Sequence, residues 1–214
     1  MKVIIEKLRT GKECYEYSEM VEDYIKLTLS KELGISHGES TTGFDCSHDY
    51  VLGNKKIEQK ISGNYLLAVE YAYEDDTPSG ISVTSADHML MINPGFDSKK
   101  GEVGKVRLIR VRDIRTIIAN PKPFEDSCAY CNKKHKVFLK TYKGNEYGRG
   151  SKVAMIHPHM VFDLKIADVA CIYDSPVSNK VIGYDFNKLI MDNHHHVRKS
   201  LTYWFYEKPE SITQ

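Results

Sequence analysis

An α/β domain built on a mixed β-sheet is the fold class predicted by this 214-residue sequence. Three observations carry that reading. A helical apolar period near the N-terminus is followed by several short strand-like runs, with a second short helix and further strands after them. The length fits one domain with a sizeable core. The hydrophobic fraction of 41% and the charged fraction of 28% lie near globular averages, well away from disordered chains.

In chain order, residues 14–34 place Met20, Val21, Tyr24, Ile25, Leu27, Leu29 and Leu33 at close to helical spacing, with Gly34 as a stop. The Gly-, Ser- and Thr-rich stretch that follows reads as a loop. In DYVLGNKKIEQKIS a Gly-Asn pair separates two β-compatible runs, which predicts a hairpin with a two-residue turn. If Gly53 and Asn54 form the turn, Leu52 faces Lys55 and Asp49 faces Glu58. Strands are expected at 64–73, 87–93 and 104–111, then a short helix at 112–119, with Pro121 and Pro123 beyond it as breakers. A polar, basic insert over 121–150 contains a Cys-x-x-Cys and precedes strand-like 152–157 and 160–165. Residues 186–193, FNKLIMDN, read as helical, and LTYWFYE as an aromatic edge strand or core segment. The expected organisation is one domain over 1–214 with a small basic lobe inserted at 121–150.

Several classes are excluded. No apolar run approaches the roughly 18 residues of a membrane span. The opening MKVIIEKLRTGKE turns charged after about five residues, too soon for a secretory signal. Five cysteines in a chain of this length predict a reduced, cytoplasmic setting better than a disulfide framework. No P-loop, dinucleotide-binding, zincin or hydrolase-elbow motif is present.

The net charge of +1 hides an asymmetry. Between Lys99 and Lys152 stand 15 Lys or Arg and 5 acidic residues, leaving 15 basic and 24 acidic residues elsewhere. A quarter of the chain thus carries half the positive charge, enough to attract a polyanion. A solvated surface balanced by the acidic remainder is the alternative. Candidate phosphate contacts are Arg107, Arg110, Arg112, Arg115, Lys133, Lys134, Lys136 and Arg149. Tyr142 and Tyr147 are candidate base-stacking residues in a basic hairpin, KTYKGNEYGRG.

The window from Asp49 to Lys60 carries the chemistry. Strand alternation puts Glu58 and Lys60 on one face and Ile57, Gln59 and Ile61 on the other. The hairpin register brings Asp49 to the same end as Glu58. Two carboxylates so placed repel unless a cation lies between them, and an oxygen-rich setting suits Mg²⁺. An ammonium beside such a metal orients the attacking water and stabilises charge developing on a phosphate. An ordinary exposed strand face of alternating Glu and Lys is the competing reading.

This Asp, two-stranded turn and Glu-x-Lys resemble the PD-(D/E)XK nuclease superfamily. The nine-position separation of Asp49 and Glu58 is similar to that in phage-type exonucleases and small phage-encoded members. A further "GN…E…SGI…T…AD" string, here through GNYLLAVEYAY and PSGISVTSADHMLMI, extends the resemblance over about residues 45–93. It implies a restriction-endonuclease-like mixed sheet flanked by helices, and a Mg²⁺-dependent deoxyribonuclease, with Mn²⁺ as a substitute, in a phage or host-defence context. Asp49 and Glu58 then bind the metal, joined by the Gln59 backbone carbonyl, and Lys60 serves the nucleophilic water. Glu70 is expected on the strand beside the hairpin as an accessory residue, and Glu22 on the first helix as an additional acid. Asp45 competes with Asp49 for the metal-binding role, and His48 stands where the family pattern has Pro. DNA is the implied partner, with RNA not separated from it by sequence. Many nucleases of this fold act as homodimers for a double-strand cut, and no membrane partner is implied. The alternatives are a non-catalytic nucleic-acid-binding protein of the same fold, zinc-stabilised or not, and a protein-partner-binding phage or defence protein.

Cys128, Cys131 and His135 stand at C-x₂-C-x₃-H, a spacing that can hold Zn²⁺. Only three ligands are local, and Cys171, His157 or His159 are available to complete four. Two plain loop thiols are the alternative, and His157 and His159 also read as turn residues around Pro158. The internal run His194-His195-His196 reads as a hydrated loop or helix end.

Overall fold

His88, Met89, Leu90, Met91 and Ile92 are all buried, so the strand they form is covered on both faces. This strand lies within the main sheet of a computed structural model that describes residues 2–5, 11–38, 40–41, 47–61, 66–93, 104–125, 134–144, 148–161, 163–173 and 182–190. In chain order the elements are β1 (Lys2–Ile5), α1 (Gly11–Leu33), β2 (Tyr50–Leu52), β3 (Lys55–Ile61), β4 (Leu67–Tyr73) and β5 (His88–Asn93). Then follow β6 (Gly104–Arg110), α2 (Val111–Ala119), α3 (Lys122–Glu125), β7 (Phe138–Tyr142), β8 (Ser151–Ile156), β9 (Asp163–Tyr173) and β10 (Ile182–Ile190).

The architecture is mixed α/β with two sheets. One has seven strands in the order β1-β10-β9-β6-β5-β3-β2, and the other has three in the order β4-β8-β7. Within the larger sheet β3 and β5 run parallel, whereas the other neighbouring pairs run antiparallel. A parallel pair needs a long crossover. Here residues 62–87 provide it, and the crossover lends β4 to the second sheet. Leu67 and Val69 of β4, Met89 and Met91 of β5, Ile109 of β6, Ile114 and Ile117 of α2, and Ala154 and Ile156 of β8 share one apolar cluster. Each large side chain buried this way contributes about 1.5–3 kcal/mol.

The hairpin forms as the sequence predicts. Tyr50 pairs with Ile57 and Leu52 with Lys55, and Gly53 takes φ 60° at the turn, a value glycine adopts at no steric cost. Helix α2 buries Val111, Ile114 and Ile117 on one stripe, and the Asp87 carbonyl accepts the Val111 N–H at 3.0 Å. Helix α1 packs against β2 and buries Ile25 and Leu29.

Two expectations are corrected. Residues 186–190, read as helical, lie in strand β10 (Ile182–Ile190), which pairs with β9 and, over Ile182–Asp185, with β1; residues 191–193 of that segment lie outside the described residues. The expected strand 160–165 begins late: Met160 closes a 3₁₀ turn, Pro158–Met160, and residues 163–165 open β9. Within the 121–150 insert, strand β7 pairs along the length of β8, from Phe138↔Met155 to Tyr142↔Ser151. No helix among the described residues is long and apolar enough to cross a membrane.

Candidate active site at the hairpin edge

Asp49 stands where the chain enters β2, and its backbone is held from both sides. Its N–H donates to the Ile57 carbonyl at 2.8 Å, and its carbonyl accepts the Thr41 N–H at 2.7 Å. The paired register ends at Tyr50↔Ile57, and with its N–H on the Ile57 carbonyl Asp49 sits close enough to Glu58 for the two charges to interact. The Asp49 carboxylate Oδ2 accepts the Gln59 backbone N–H at 2.5 Å. Since the N–H and C=O of one strand residue point to the same edge, the Gln59 carbonyl is turned toward Asp49's edge as well. On the opposite face the Tyr50 hydroxyl donates to Gln59 Oε1 at 2.7 Å, a buried bond that ties β2 to β3 beneath the site.

Glu58 and Lys60 share the other face of β3, with Lys60 Nζ 2.8 Å from Glu58 Oε1. Thr84 Oγ1 lies 3.2 Å from Glu58 Oε2 and 2.7 Å from the Ser47 carbonyl. Arg115 of α2 fixes this segment from behind, donating Nε to the Ile81 carbonyl at 2.7 Å and Nη2 to the Thr84 carbonyl at 2.6 Å. Asp87 finishes the frame by accepting the Lys56 N–H at 2.9 Å.

The electrostatics follow from this crowding. Burial is the largest influence on Asp49, and with the charges of Glu58 and Glu22 it pushes the carboxyl up to about 7, against the opposing pull of Lys60 and the Gln59 N–H. Burial is also the largest single influence on Lys60 and pulls its pKa down. Glu58, Asp49 and Glu22 together outweigh it, so the ammonium ends above its ordinary value. Glu22 on α1 is thereby brought within electrostatic reach of Asp49 and Lys60. Of the three carboxylates, Glu58 touches the Lys60 ammonium, while Asp49 and Glu22 act on it through their charge.

Other predicted site residues fall elsewhere. Glu70 is not beside the hairpin, because the crossover carries β4 to the second sheet, where it pairs with β8. Its carboxylate accepts the Ser79 hydroxyl at 2.7 Å. Asp45, Cys128, Cys131, Lys133 and Tyr147 lie outside the described residues. Arg115 donates to two backbone carbonyls, those of Ile81 and Thr84, and is otherwise exposed. Arg149 pairs with Asp75 at 2.6 Å and lies over the Tyr73 ring. Arg112 stands 3.5 Å from Asp113 but is largely exposed. Arg107 and Arg110 are half-buried on β6, whereas Lys134 and Lys136 are exposed ahead of β7.

No known family model, curated protein or solved structure matches the chain.

Two residues that support the site, Thr84 and Arg115, escape a reading of the hairpin alone. The signal for Thr84 is in the SGI…T…AD string, whose members turn out to have physical tasks. Ser79 bonds Glu70, Gly80 passes too close to the Glu70 carbonyl for any Cβ, Thr84 stands against Glu58, and Asp87 holds Lys56. Nothing in local spacing announces that Arg115 reaches back to residues 81 and 84.

Proposed function

We propose that the chain is a Mg²⁺-dependent nuclease of PD-(D/E)XK type, with a restriction-endonuclease-like core, that hydrolyses phosphodiester bonds of DNA. The observation that carries this reading is the 2.8 Å contact of Glu58 with Lys60 beside Asp49, whose carboxyl is pushed up to about 7 by burial and by the Glu58 charge. Such a group is one that a divalent cation would ionise. Asp49, Glu58 and the Gln59 carbonyl are the residues to hold Mg²⁺. When bound, the ion supplies Lewis-acid stabilisation of the phosphate and acidifies a coordinated water.

The chain's own residues do the rest. Lys60, kept protonated by the carboxylates, orients the water and stabilises negative charge on the phosphate in the transition state. Glu58 fixes the Lys60 ammonium in place, and Thr84 and Arg115 fix the surroundings of Glu58. In the hydrolysis a water oxygen bonds to phosphorus and one P–O ester bond breaks. A phosphomonoester and a hydroxyl result.

Strand β7 supports nucleic acid as the substrate. Phe138, Lys140 and Tyr142 alternate onto one face and are exposed, offering aromatic planes for bases and a cation for phosphate. Lys134 and Lys136 precede them. A non-catalytic nucleic-acid-binding module would use the same strand, and a homodimer would supply the second site for a double-strand cut.

The deciding experiment is cleavage of labelled single- and double-stranded DNA with and without Mg²⁺, by wild type and Lys60→Ala. Mg²⁺-dependent cutting that Lys60→Ala abolishes, with the variant still folded, is the expected result. Salt-sensitive binding without cutting leaves the binding module in its place.

A further inference from the structure

A second group of ligand-type side chains lies in the β4-β8-β7 sheet. The ligand nitrogens of His135, His157 and His159 all lie within 4.8 Å of one another. Strand register explains why. Phe138 pairs with Met155, and the same antiparallel run carried three residues outward sets position 135 opposite 158. His157 and His159 flank that position. They stand on the 3₁₀ turn whose Pro158 and Met160 are buried, and Met160 belongs to the apolar cluster. The turn therefore presents both histidines from an anchored backbone.

The ring geometry is close. His135 stacks on His157 with centroids 3.4 Å apart and planes 14° from parallel. His159 meets the two rings edge-on, at 5.8 Å from His135 and 4.6 Å from His157. Three imidazoles this near repel one another once protonated, whereas the neutral ring offers one lone pair and is the ligating form.

We propose that His135, His157 and His159 form a binding site for a divalent transition metal, Zn²⁺ by preference, that ties the start of β7 to the end of β8. Imidazole suits Zn²⁺, which takes nitrogen at about 2.0–2.1 Å in a tetrahedral set. Ligand nitrogens in such a set stand about 3.3 Å apart, so closure calls for a modest contraction and a tilt of the two stacked rings. His157 Nδ1 now accepts the His159 N–H at 3.2 Å, a long bond that a metal at Nδ1 replaces. The fourth position is open to water or to another side chain. The site is independent of the Asp49 hairpin and of the nuclease reading.

The internal run His194-His195-His196 would compete for zinc, so the test uses a full chain with those three residues changed to Ala. After loading with Zn²⁺ and desalting, metal is counted by mass spectrometry and thermal stability is measured with and without zinc. The expected result is one zinc per chain and a raised Tm. Both are lost in a His157→Ala/His159→Ala variant of unchanged circular dichroism. His135→Ala, altered outside any strand, serves if the double variant does not fold, and it too is expected to lose the zinc. Failure of the parent chain to retain zinc, or a full equivalent kept by the folded histidine variants, overturns the proposal.

Discussion

Arg115 holds the backbone carbonyl of Thr84 at 2.6 Å, and through that carbonyl a helix on one side of the sheet sets the position of a hydroxyl beside Glu58. A guanidinium expected to bind phosphate from its place in a basic block also braces the backbone behind Glu58. Charge-assisted bonds of this kind contribute about 1.5–3 kcal/mol each. Arg115→Ala is expected to lower stability to urea by about 2–3 kcal/mol and to reduce cleavage. It should leave the salt dependence of DNA binding unchanged. A shallower salt slope would instead make Arg115 a phosphate contact.

Asp49 gives a pH prediction with a definite sign. Its folded pKa of about 7 exceeds the ordinary carboxylate value, so the folded state binds more protons than the unfolded state between about pH 4 and 7. Stability contributed by the protonated carboxyl is present below that window and is lost as pH rises through about 7. Asp49→Asn is expected to flatten this loss and to stabilise the metal-free protein at pH 8 by about 1 kcal/mol or more. Mg²⁺ is expected to raise the Tm of wild type at pH 8 and not that of Asp49→Asn. An unchanged pH profile in Asp49→Asn would show that the wild-type carboxyl is already ionised without metal.

Glu70 provides the internal control. It bonds Ser79 in the second sheet and takes no part in the frame around Lys60. Glu70→Gln is expected to keep cleavage within a few-fold of wild type while costing about 1 kcal/mol of stability. A loss as deep as that of Lys60→Ala would place Glu70 in the metal centre.

Gly80 adopts φ 49°, and a Cβ there meets the Glu70 carbonyl oxygen at 2.4 Å. Strain and clash act together, so Gly80→Ala is expected to cost about 2 kcal/mol or more. Urea unfolding checks this. The same variant should lower activity by displacing Thr84, which lies four residues on.

The exposed face of β7 predicts a division of labour. Lys140→Ala is expected to weaken DNA binding and to reduce the salt slope by about one. Phe138→Ala and Tyr142→Ala should weaken single-strand binding by about 1–3 kcal/mol per lost stack. None of the three should alter the Mg²⁺ concentration needed for cutting, which a titration at saturating DNA measures.

The legible parts of the sequence were local. A Gly-Asn turn between β-compatible runs fixes its own register, so the Leu52–Lys55 pairing could be read directly, whereas Asp49 and Glu58 lie beyond the last pair, Tyr50↔Ile57. The short helix at 112–119, stopped by Pro121 and Pro123, was legible for a similar reason, although Val111, read as the end of the preceding strand, opens it. Glu70 was misplaced because alternation says which face a residue takes but not which sheet its strand joins. That choice followed from the parallel β3–β5 pairing, which forced the chain across to a second layer. In FNKLIMDN the apolar residues fit a strand face as well as a helix, and residues 186–190 continue the strand whose first part, Ile182–Asp185, pairs with β9 and β1. The histidine cluster was half legible. His157 and His159 could be named as available partners of His135, but their meeting depends on the β7–β8 register.

Glu58 and Lys60 pair across β3 with Met89 and Met91, residues that lie 31 positions later in each case. A chain growing from its N-terminus therefore completes the motif well before the strand that seats it exists. The hairpin alone is a two-stranded ribbon, marginal in water, and its parallel neighbour comes only after a long loop closes. The charged centre is accordingly a late product of folding. A fragment ending at residue 87 holds every residue of the motif and lacks the strand on which β3 is seated.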